Sequence, residues 1–136
     1  MTPFDITQAI TAYLISEANT NVSLGLITSS IYIQQVPKSA PLPYLQISIG
    51  DVQHENSTTQ SLDLSGKLQI TLASSLSLGT QQITDLQNTL ITKLDRKQLL
   101  IAPNSLLQIW LDQTQEPEIQ RDRMVLSSSW QCRLNG

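Results

Sequence analysis

Two consecutive segments of the chain alternate between apolar and polar residues, and this period of two constrains the fold most strongly. Residues 43–52 read PYLQISIGDV, and residues 61–73 read SLDLSGKLQITLA. Successive side chains of a β-strand point to opposite faces, so such alternation is typical of strands with one buried and one polar face. The two segments are predicted to form a long antiparallel hairpin, joined by a loop at residues 53–60, which contain no large apolar side chain.

Two other segments repeat apolar residues at helical spacing. Residues 2–18 begin with Thr2 as a cap and Pro3 at the first helical position, where its missing N–H costs nothing. The second helix follows Thr80 as its cap, and Arg96 and Lys97 come near its predicted C-terminal end. The predicted buried stripes are Ile6, Ala9, Ile10, Tyr13 and Leu14 in the first helix, and Ile83, Leu86, Leu90, Ile91 and Leu94 in the second.

Three further segments are predicted strands: residues 30–36, 104–114 and 123–134, with a polar turn at 115–122 before the last. The order is helix, three strands, helix, two strands. This order predicts a single domain over residues 1–136 in the α+β class, with an antiparallel sheet of about five strands and both helices packed on one face.

The composition excludes several classes of protein. The net charge is −3 with no basic run, so no electrostatic footprint for nucleic-acid binding is present. No apolar run approaches the roughly 20 residues of a membrane span, and the N-terminus lacks a signal-peptide pattern. Charged residues make up only 14% of the chain. That low fraction indicates either a surface that meets other proteins or a compositional bias of the genome.

The residues that could carry chemistry lack partners in the sequence. His54 is the single histidine and is predicted to lie in a polar loop; Cys132 is predicted to be a small buried hydrophobe. Asp112, Glu116, Glu118 and Asp122 could in principle bind a metal ion, but their spacing fits no calcium loop, and a solvated turn explains them better. We therefore expect no catalytic set, no metal and no cofactor.

Three of the six prolines fall within residues 37–43, between two predicted strands. Proline lacks a backbone N–H and resists strand pairing, so this proline bridge is either a rigid contact for a neighbouring molecule or a crossover that sets strand geometry. Trp110 is out of phase with Leu107, Ile109 and Leu111. It is therefore either a sheet-edge aromatic or a contact for a partner.

Read as a whole, the chain resembles the tail-completion or tail-terminator proteins of tailed bacteriophages. The strongest features are Val36-Pro37, Pro43-Tyr44 and Gly50-Asp51 within the segment IYIQQVPKSAPLPYLQISIGD. The N-terminal helix, the strand GKLQITLAS followed by the helix QQITDLQNTLITKLD, and the final two strands around an acidic turn complete the resemblance. The last strand departs from the family pattern, because VLSSSWQCRL is poorer in arginine and aromatic residues.

The resemblance implies a structural protein rather than an enzyme. Such proteins form a homohexameric ring that caps the tail tube, ends its growth and joins it to the head connector or stopper protein, with DNA passing through the lumen. The implied location is the tail–neck junction of the virion, after assembly in the host cytoplasm, with no membrane partner. A neck or head-completion protein on the head side of the same joint, a cytoplasmic adaptor unrelated to phage, and a small soluble enzyme are the alternatives.

Within that interpretation, two sets of residues are expected to matter. The candidate contacts to neighbouring subunits or to the tube are Pro37, Lys38, Pro41, Pro43, His54, Glu55, Asn56 and Trp110. The candidate acids of the lumen are Asp51, Asp63, Glu116 and Glu118. An acidic lumen would repel DNA phosphates and so prevent adhesion.

Overall fold

The computed structural model describes residues 3–18, 31–38, 40–56, 62–102 and 105–135. In chain order the elements are α1 (Pro3–Ala18), β1 (Ile31–Ile33), β2 (Tyr44–Asn56), β3 (Leu62–Ser75), a 3₁₀ turn (Leu76–Leu78), α2 (Gly79–Leu94), β4 (Lys97–Ala102), β5 (Ser105–Thr114), β6 (Glu118–Gln120) and β7 (Arg123–Asn135). Both predicted helices and all five predicted strands are present, so the α+β class is confirmed.

The strands form one sheet with the order β1-β2-β3-β7-β5-β4, and β6 adds to β7 beside β5. The predicted hairpin is confirmed, because β2 pairs antiparallel with β3. The prediction of an antiparallel sheet of about five strands was wrong on two counts: the described sheet has seven strands, and β1 pairs parallel with β2. Between the end of β1 and the start of β2, residues 34–43 return the chain to the end of the sheet at which β1 began. The two strands therefore run in the same direction.

Strands β4 and β6 were not predicted, and each has a physical reason for giving no clear signal in the sequence. The chain leaves α2 through Asp95 and Arg96, where Arg96 adopts a left-handed φ of 60°, and enters β4 at once. Asp95 fixes this turn, since its Oδ1 accepts a hydrogen bond of 2.8 Å from the Leu111 N–H. Strand β6 lies within the predicted turn at 115–122; its three residues are all exposed and pair only through the backbone, so they show no apolar alternation.

The predicted loop at residues 53–60 was also wrong in its first half. His54, Glu55 and Asn56 belong to β2 and pair with Leu64, Asp63 and Leu62 of β3. Backbone pairing extends the hairpin through polar residues that carry no apolar alternation. Residues 57–60 lie outside the described part of the chain.

One face of the sheet, called the inner face, packs against both helices, as predicted. A single core cluster contains Ile6, Ile10 and Leu14 of α1, Ile83, Leu86, Leu90 and Leu94 of α2, and inner-face strand residues that include Leu45, Ile47, Leu68, Ile70, Leu72, Leu107, Ile109, Leu126 and Trp130. The Trp130 indole donates to Ser128 Oγ at 2.8 Å, and Ser128 Oγ donates to the Ile70 carbonyl at 3.3 Å. These two side chains are therefore satisfied within the apolar layer, whereas the buried Ser74 Oγ has no hydrogen-bond partner among the described residues.

The two helices also contact each other directly. The Tyr13 hydroxyl donates a hydrogen bond of 2.9 Å to the Lys93 carbonyl, and the Lys93 ammonium lies 3.2 Å from Glu17 Oε2. The Lys97 ammonium lies 5.0 Å from the centre of the Tyr13 ring. These contacts fix α1 against the C-terminal end of α2, where positive side chains are favourable.

Truncation of Leu90 to alanine should lower the free energy of unfolding by about 2–5 kcal/mol, because Leu90 is fully buried between α2 and the sheet. Denaturant melts of the variant and the wild-type chain measure this loss. Thr84→Ala, on the exposed side of the same helix, is the matched control and should change stability by less than about 0.5 kcal/mol. A loss at Leu90 as small as that of the control would contradict the packing of α2.

Gln87 is the opposite case, a buried polar side chain in α2. It is 5% exposed, and among the described residues neither its Nε2 nor its Oε1 has a hydrogen-bond partner. Because an unsatisfied buried polar group costs about 1–3 kcal/mol, Gln87→Leu should raise the free energy of unfolding by about 1–2 kcal/mol. Gln81→Leu, at an exposed position of α2, should show no such gain in the same urea melts. Destabilisation by Gln87→Leu would mean that the amide is satisfied in solution.

Candidate interaction surfaces

Because β1 ends at Ile33, the proline bridge is longer than predicted and covers residues 34–43. It lies over the second face of the sheet, called the outer face. Its start is fixed to β2, since Gln34 N–H donates to the Ile47 carbonyl at 2.8 Å and Gln46 Nε2 donates to the Gln34 carbonyl at 2.5 Å. Gln34 adopts a left-handed φ of 68°, which turns the chain out of β1. Within the bridge, the Ala40 N–H donates to the Pro37 carbonyl at 3.1 Å and closes a tight turn.

Beneath the bridge is a second, smaller apolar cluster. Tyr44, Ala73 and Val125 occupy one row across β2, β3 and β7, because Tyr44 pairs with Ala73 and Ala73 pairs with Val125. The side chains packed onto this row are Tyr32 of β1 and Val36, Ala40 and Leu42 of the bridge. The Tyr32 and Tyr44 rings meet edge to face, with centroids 6.1 Å apart. The bridge therefore covers one end of the outer face and sets the geometry of β1 against β2.

The side of the bridge away from this cluster is open. Pro37, Lys38 and Pro41 are exposed, whereas Pro43 is half-buried. Two interpretations of the proline bridge were possible, a crossover that sets strand geometry and a rigid contact surface. The packing of Val36 and Leu42 on the sheet agrees with a crossover that sets strand geometry. A contact role for the exposed prolines stays a prediction.

The rest of the outer face is polar and poor in charge. The residues of this face near its centre are Gln46, Ser48, Lys67, Gln69, Thr71, Ser127, Ser129 and Gln131. A shallow hollow of about 470 Å³ opens here, lined by residues that include Ser48, Gly50, Lys67 and Gln113. Exposed Lys67 and exposed Asp112 both line this hollow, and exposed Arg133 lies further toward the end of β7, so the face carries charges of both signs. The face offers hydrogen-bonding groups rather than an acidic surface.

Trp110 lies on the outer face, as its phase in the sequence predicted. Its position is opposite Gln131 of β7, and its side chain is half-buried, whereas Leu107 and Ile109 enter the core. A cavity of about 380 Å³ lies beside it, lined also by Arg96 of the turn and by Lys97 and Gln98 of β4. Whether Trp110 contacts a partner stays a prediction.

The remaining candidate residues separate toward two ends of the sheet. Glu116 and Glu118 are exposed near the proline bridge, since Glu118 pairs with Val125 in the row of Tyr44 and Ala73. At the far end, called the hairpin end, β2 and β3 carry Asp51, His54, Glu55, Asn56 and Asp63. Asp63 and Ala73 are ten residues apart on β3, a separation of about 33 Å at 3.3 Å per residue. The four candidate acids are therefore not brought together in one subunit.

Two exposed apolar residues were not singled out from the sequence. Leu100 of β4 is 72% exposed and Ile119 of β6 is 65% exposed. Leu100 pairs with half-buried Leu106 at the edge of the sheet. The sequence indicates strand β4 only by the uncharged run LLIA at 99–102. This run directly follows a predicted helix and is too short to show a period of two.

Cys132 is buried on the inner face, as predicted, with 1% exposure. Its Sγ lies 3.6 Å from the Gly66 carbonyl oxygen, and burial raises the pKa of the thiol to about 11. The thiol is therefore protonated near neutral pH and is not poised as a nucleophile. Within the described residues no group of three or more His, Cys, Asp or Glu side chains could hold a metal ion, and none of the described helices is long and apolar enough to span a membrane.

Two solved structures share this fold over nearly the whole chain. One is a chain of the virion of a native gene transfer agent (GTA) particle, with a TM-score of 0.67 and 16% sequence identity over 96% of this chain and 97% of that chain. The other, whose name states no function, has a TM-score of 0.70 and 11% identity over 98% of this chain and 96% of that chain. No protein-family model and no curated protein sequence matches the chain. At these identities the likeness establishes the fold.

The buried thiol predicts a pH dependence of stability. The native state holds the Cys132 proton up to a pKa of about 11, whereas the ordinary value is 9.0. The contribution of this thiol to stability is therefore fully present below about pH 9 and is lost as the pH rises toward about 11. Urea melts across this range should show a steeper decline for the wild-type chain than for Cys132→Ala. Parallel declines would show that the thiol has the same pKa in both states.

Proposed function

We propose that this chain is a structural protein of a phage-like virion and that it acts as the tail terminator. The observation that carries the proposal is the end-to-end match in fold with a chain of a gene transfer agent virion, at a TM-score of 0.67. The finer assignment rests on the resemblance of Val36-Pro37, Pro43-Tyr44 and Gly50-Asp51 to the terminator pattern. In this role the chain is not an enzyme and needs no cofactor.

The proposed assembly is a homohexameric ring at the tail–neck junction, formed in the host cytoplasm. The ring caps the tail-tube protein, ends tube growth and presents a surface to the head–tail connector or stopper protein. A terminator must therefore bind different partners on two sides. The long strands provide two well-separated surfaces, because the 14 residues of β3 span about 45 Å between the hairpin end and the bridge end.

The proline bridge suits a docking role because it is already ordered in the subunit. Packing of Val36, Ala40 and Leu42 on the sheet fixes the exposed Pro37 and Pro41. A surface that is rigid before binding loses little conformational entropy when a partner docks on it. We propose that the bridge end contacts one partner and that the hairpin end contacts the other.

The charge balance supports passage of DNA through the ring without adhesion. A ring of six copies, each with a net charge of −3, carries −18 in total. Because Glu116 and Glu118 lie near the bridge while Asp51 and Asp63 lie toward the hairpin end, the proposed acidic groups form two rings, one toward each mouth of the lumen. The cationic Lys67 lies level with Gly50, next to Asp51, and Arg133 lies toward the hairpin end, opposite Ser65.

The proposal predicts that the purified chain stops polymerisation of the tail-tube protein from the same genome. Tubes grown with the chain should be shorter and should carry a ring at one end in negative-stain images. Pro37→Ala combined with Pro41→Ala should weaken capping by loosening the bridge, whereas Thr84→Ala on α2 should cap as the wild-type chain does.

Two outcomes would change the assignment. A chain that never forms rings and leaves tube length unaltered would overturn the terminator role. A ring that binds the connector protein but not the tube would place the chain on the head side of the joint, as a neck protein.

A further inference from the structure

The two edges of the described sheet are unequal and largely open. Strand β2 has 13 residues, but β1 pairs with only Leu45, Gln46 and Ile47. Among the residues that the structure describes, no strand pairs with residues 48–56 on that side. The opposite edge is β4, which pairs only with β5.

Strand β4 has a lysine at its start and a register shift between Leu100 and Ala102, but the rest of this edge is apolar and open. Its residues 99–102, LLIA, carry no charge, and Leu100 is 72% exposed. Natural edge strands are usually short, charged, bulged or covered, because an open apolar edge invites pairing with another chain. An edge of this kind is better suited to a subunit whose edge is covered in an assembly.

The two edges carry opposite charges. Residues 48–56 contain Asp51 and Glu55 and no Lys or Arg, whereas residues 96–102 contain Arg96 and Lys97 and no Asp or Glu. Pairing of β2 with β2 would bring acidic residues near each other, and pairing of β4 with β4 would leave Arg96 and Lys97 without acidic partners. Pairing of β4 with β2 brings opposite charges together, and such complementarity selects partner and orientation.

Strand direction gives the geometry of such a contact. Four antiparallel pairings separate β2 from β4, in the order β2-β3-β7-β5-β4, so the two strands run in the same direction within one copy. A rotation about an axis along the strands keeps that direction. A β4 strand would therefore lie parallel to the β2 strand of the next copy. The contact joins two different surfaces, and repetition of such a contact gives a ring where the rotation between copies closes and a filament where it does not.

We propose that neighbouring copies of this chain join by parallel backbone pairing between β4 of one copy and residues 48–56 of β2 of the next. This inference deepens the proposed function, on which it rests, by naming the contact that builds the ring. The sheets of all copies would then form one continuous sheet around the axis, with Leu100 covered by the neighbouring copy.

Cysteine cross-linking tests the contact, since Cys132→Ala removes the chain's single cysteine. Gly50→Cys is tolerated sterically, because a Cβ built at Gly50 meets nothing within 4 Å. Gly50→Cys combined with Gln98→Cys, or with Leu100→Cys, places thiols on the outer side of both edges. A short bis-maleimide should produce a ladder of covalent oligomers ending at the ring, and the control pair of Gly50→Cys with Thr84→Cys should not.

The outcomes separate this contact from the proposed function. Rings seen in images of the cysteine variants without any cross-linked ladder would overturn the edge contact and leave the terminator role intact. Dimers from Gly50→Cys alone or from Leu100→Cys alone would also overturn it, because they require like edges to meet. A chain that forms no oligomer, even with tube protein, would overturn both.

A charge introduced at the β4 edge gives a second, independent test of the contact between copies. Leu100→Lys should raise the concentration needed for ring formation at least tenfold, while the unfolding transition of the isolated chain stays unchanged. Ile15→Lys, at a partly exposed apolar position of α1 (39% exposed), is the matched control and should assemble normally. Equal assembly of the two variants would contradict the role of β4.

Discussion

The antiparallel pairing of β3 with β7 is the interaction on which the rest of the structure depends. Thirteen residue pairs join the two strands, from Asp63 with Asn135 to Ser75 with Arg123. This register places Leu68, Ile70 and Leu72 on the same face as Leu126 and Trp130, and both helices cover that face. A shift by one residue would turn every one of these side chains to the polar face.

The same register determines what the outer face can do. Its bridge end is covered by Val36, Ala40 and Leu42, its centre remains polar, and its hairpin end carries the polar half of β2. The proposed contacts therefore fall in two directions, along the strands and across them. The strand direction leads to the surfaces proposed for the tube and the connector, while the direction across the sheet leads to the open edges proposed to join neighbouring copies.

The sequence predicted the parts of this fold that are recorded in side-chain periodicity. The alternation around Ile47 and Ile70 predicted the hairpin, and the spacing of Ile83, Leu86 and Leu90 predicted α2. The sequence did not predict strands that are held by backbone hydrogen bonds alone. The residues of β6 are exposed, and the polar half of β2 pairs with β3 without any apolar alternation. The parallel pairing of β1 also depends on packing of the proline bridge, which no local pattern reveals. Trp110 was placed on the outer face by phase alone, whereas exposed Leu100 was missed.

In the proposed assembly, each subunit joins the next through one repeated contact between unlike edges, and the ring closes. Native mass spectrometry of the purified chain over a range of concentrations tests it most directly. We expect a closed hexamer with a mass of about six times 15.1 kDa, in equilibrium with the monomer and with few open intermediates. A monomer at every concentration, or a series that ends at a two-fold dimer, would contradict it.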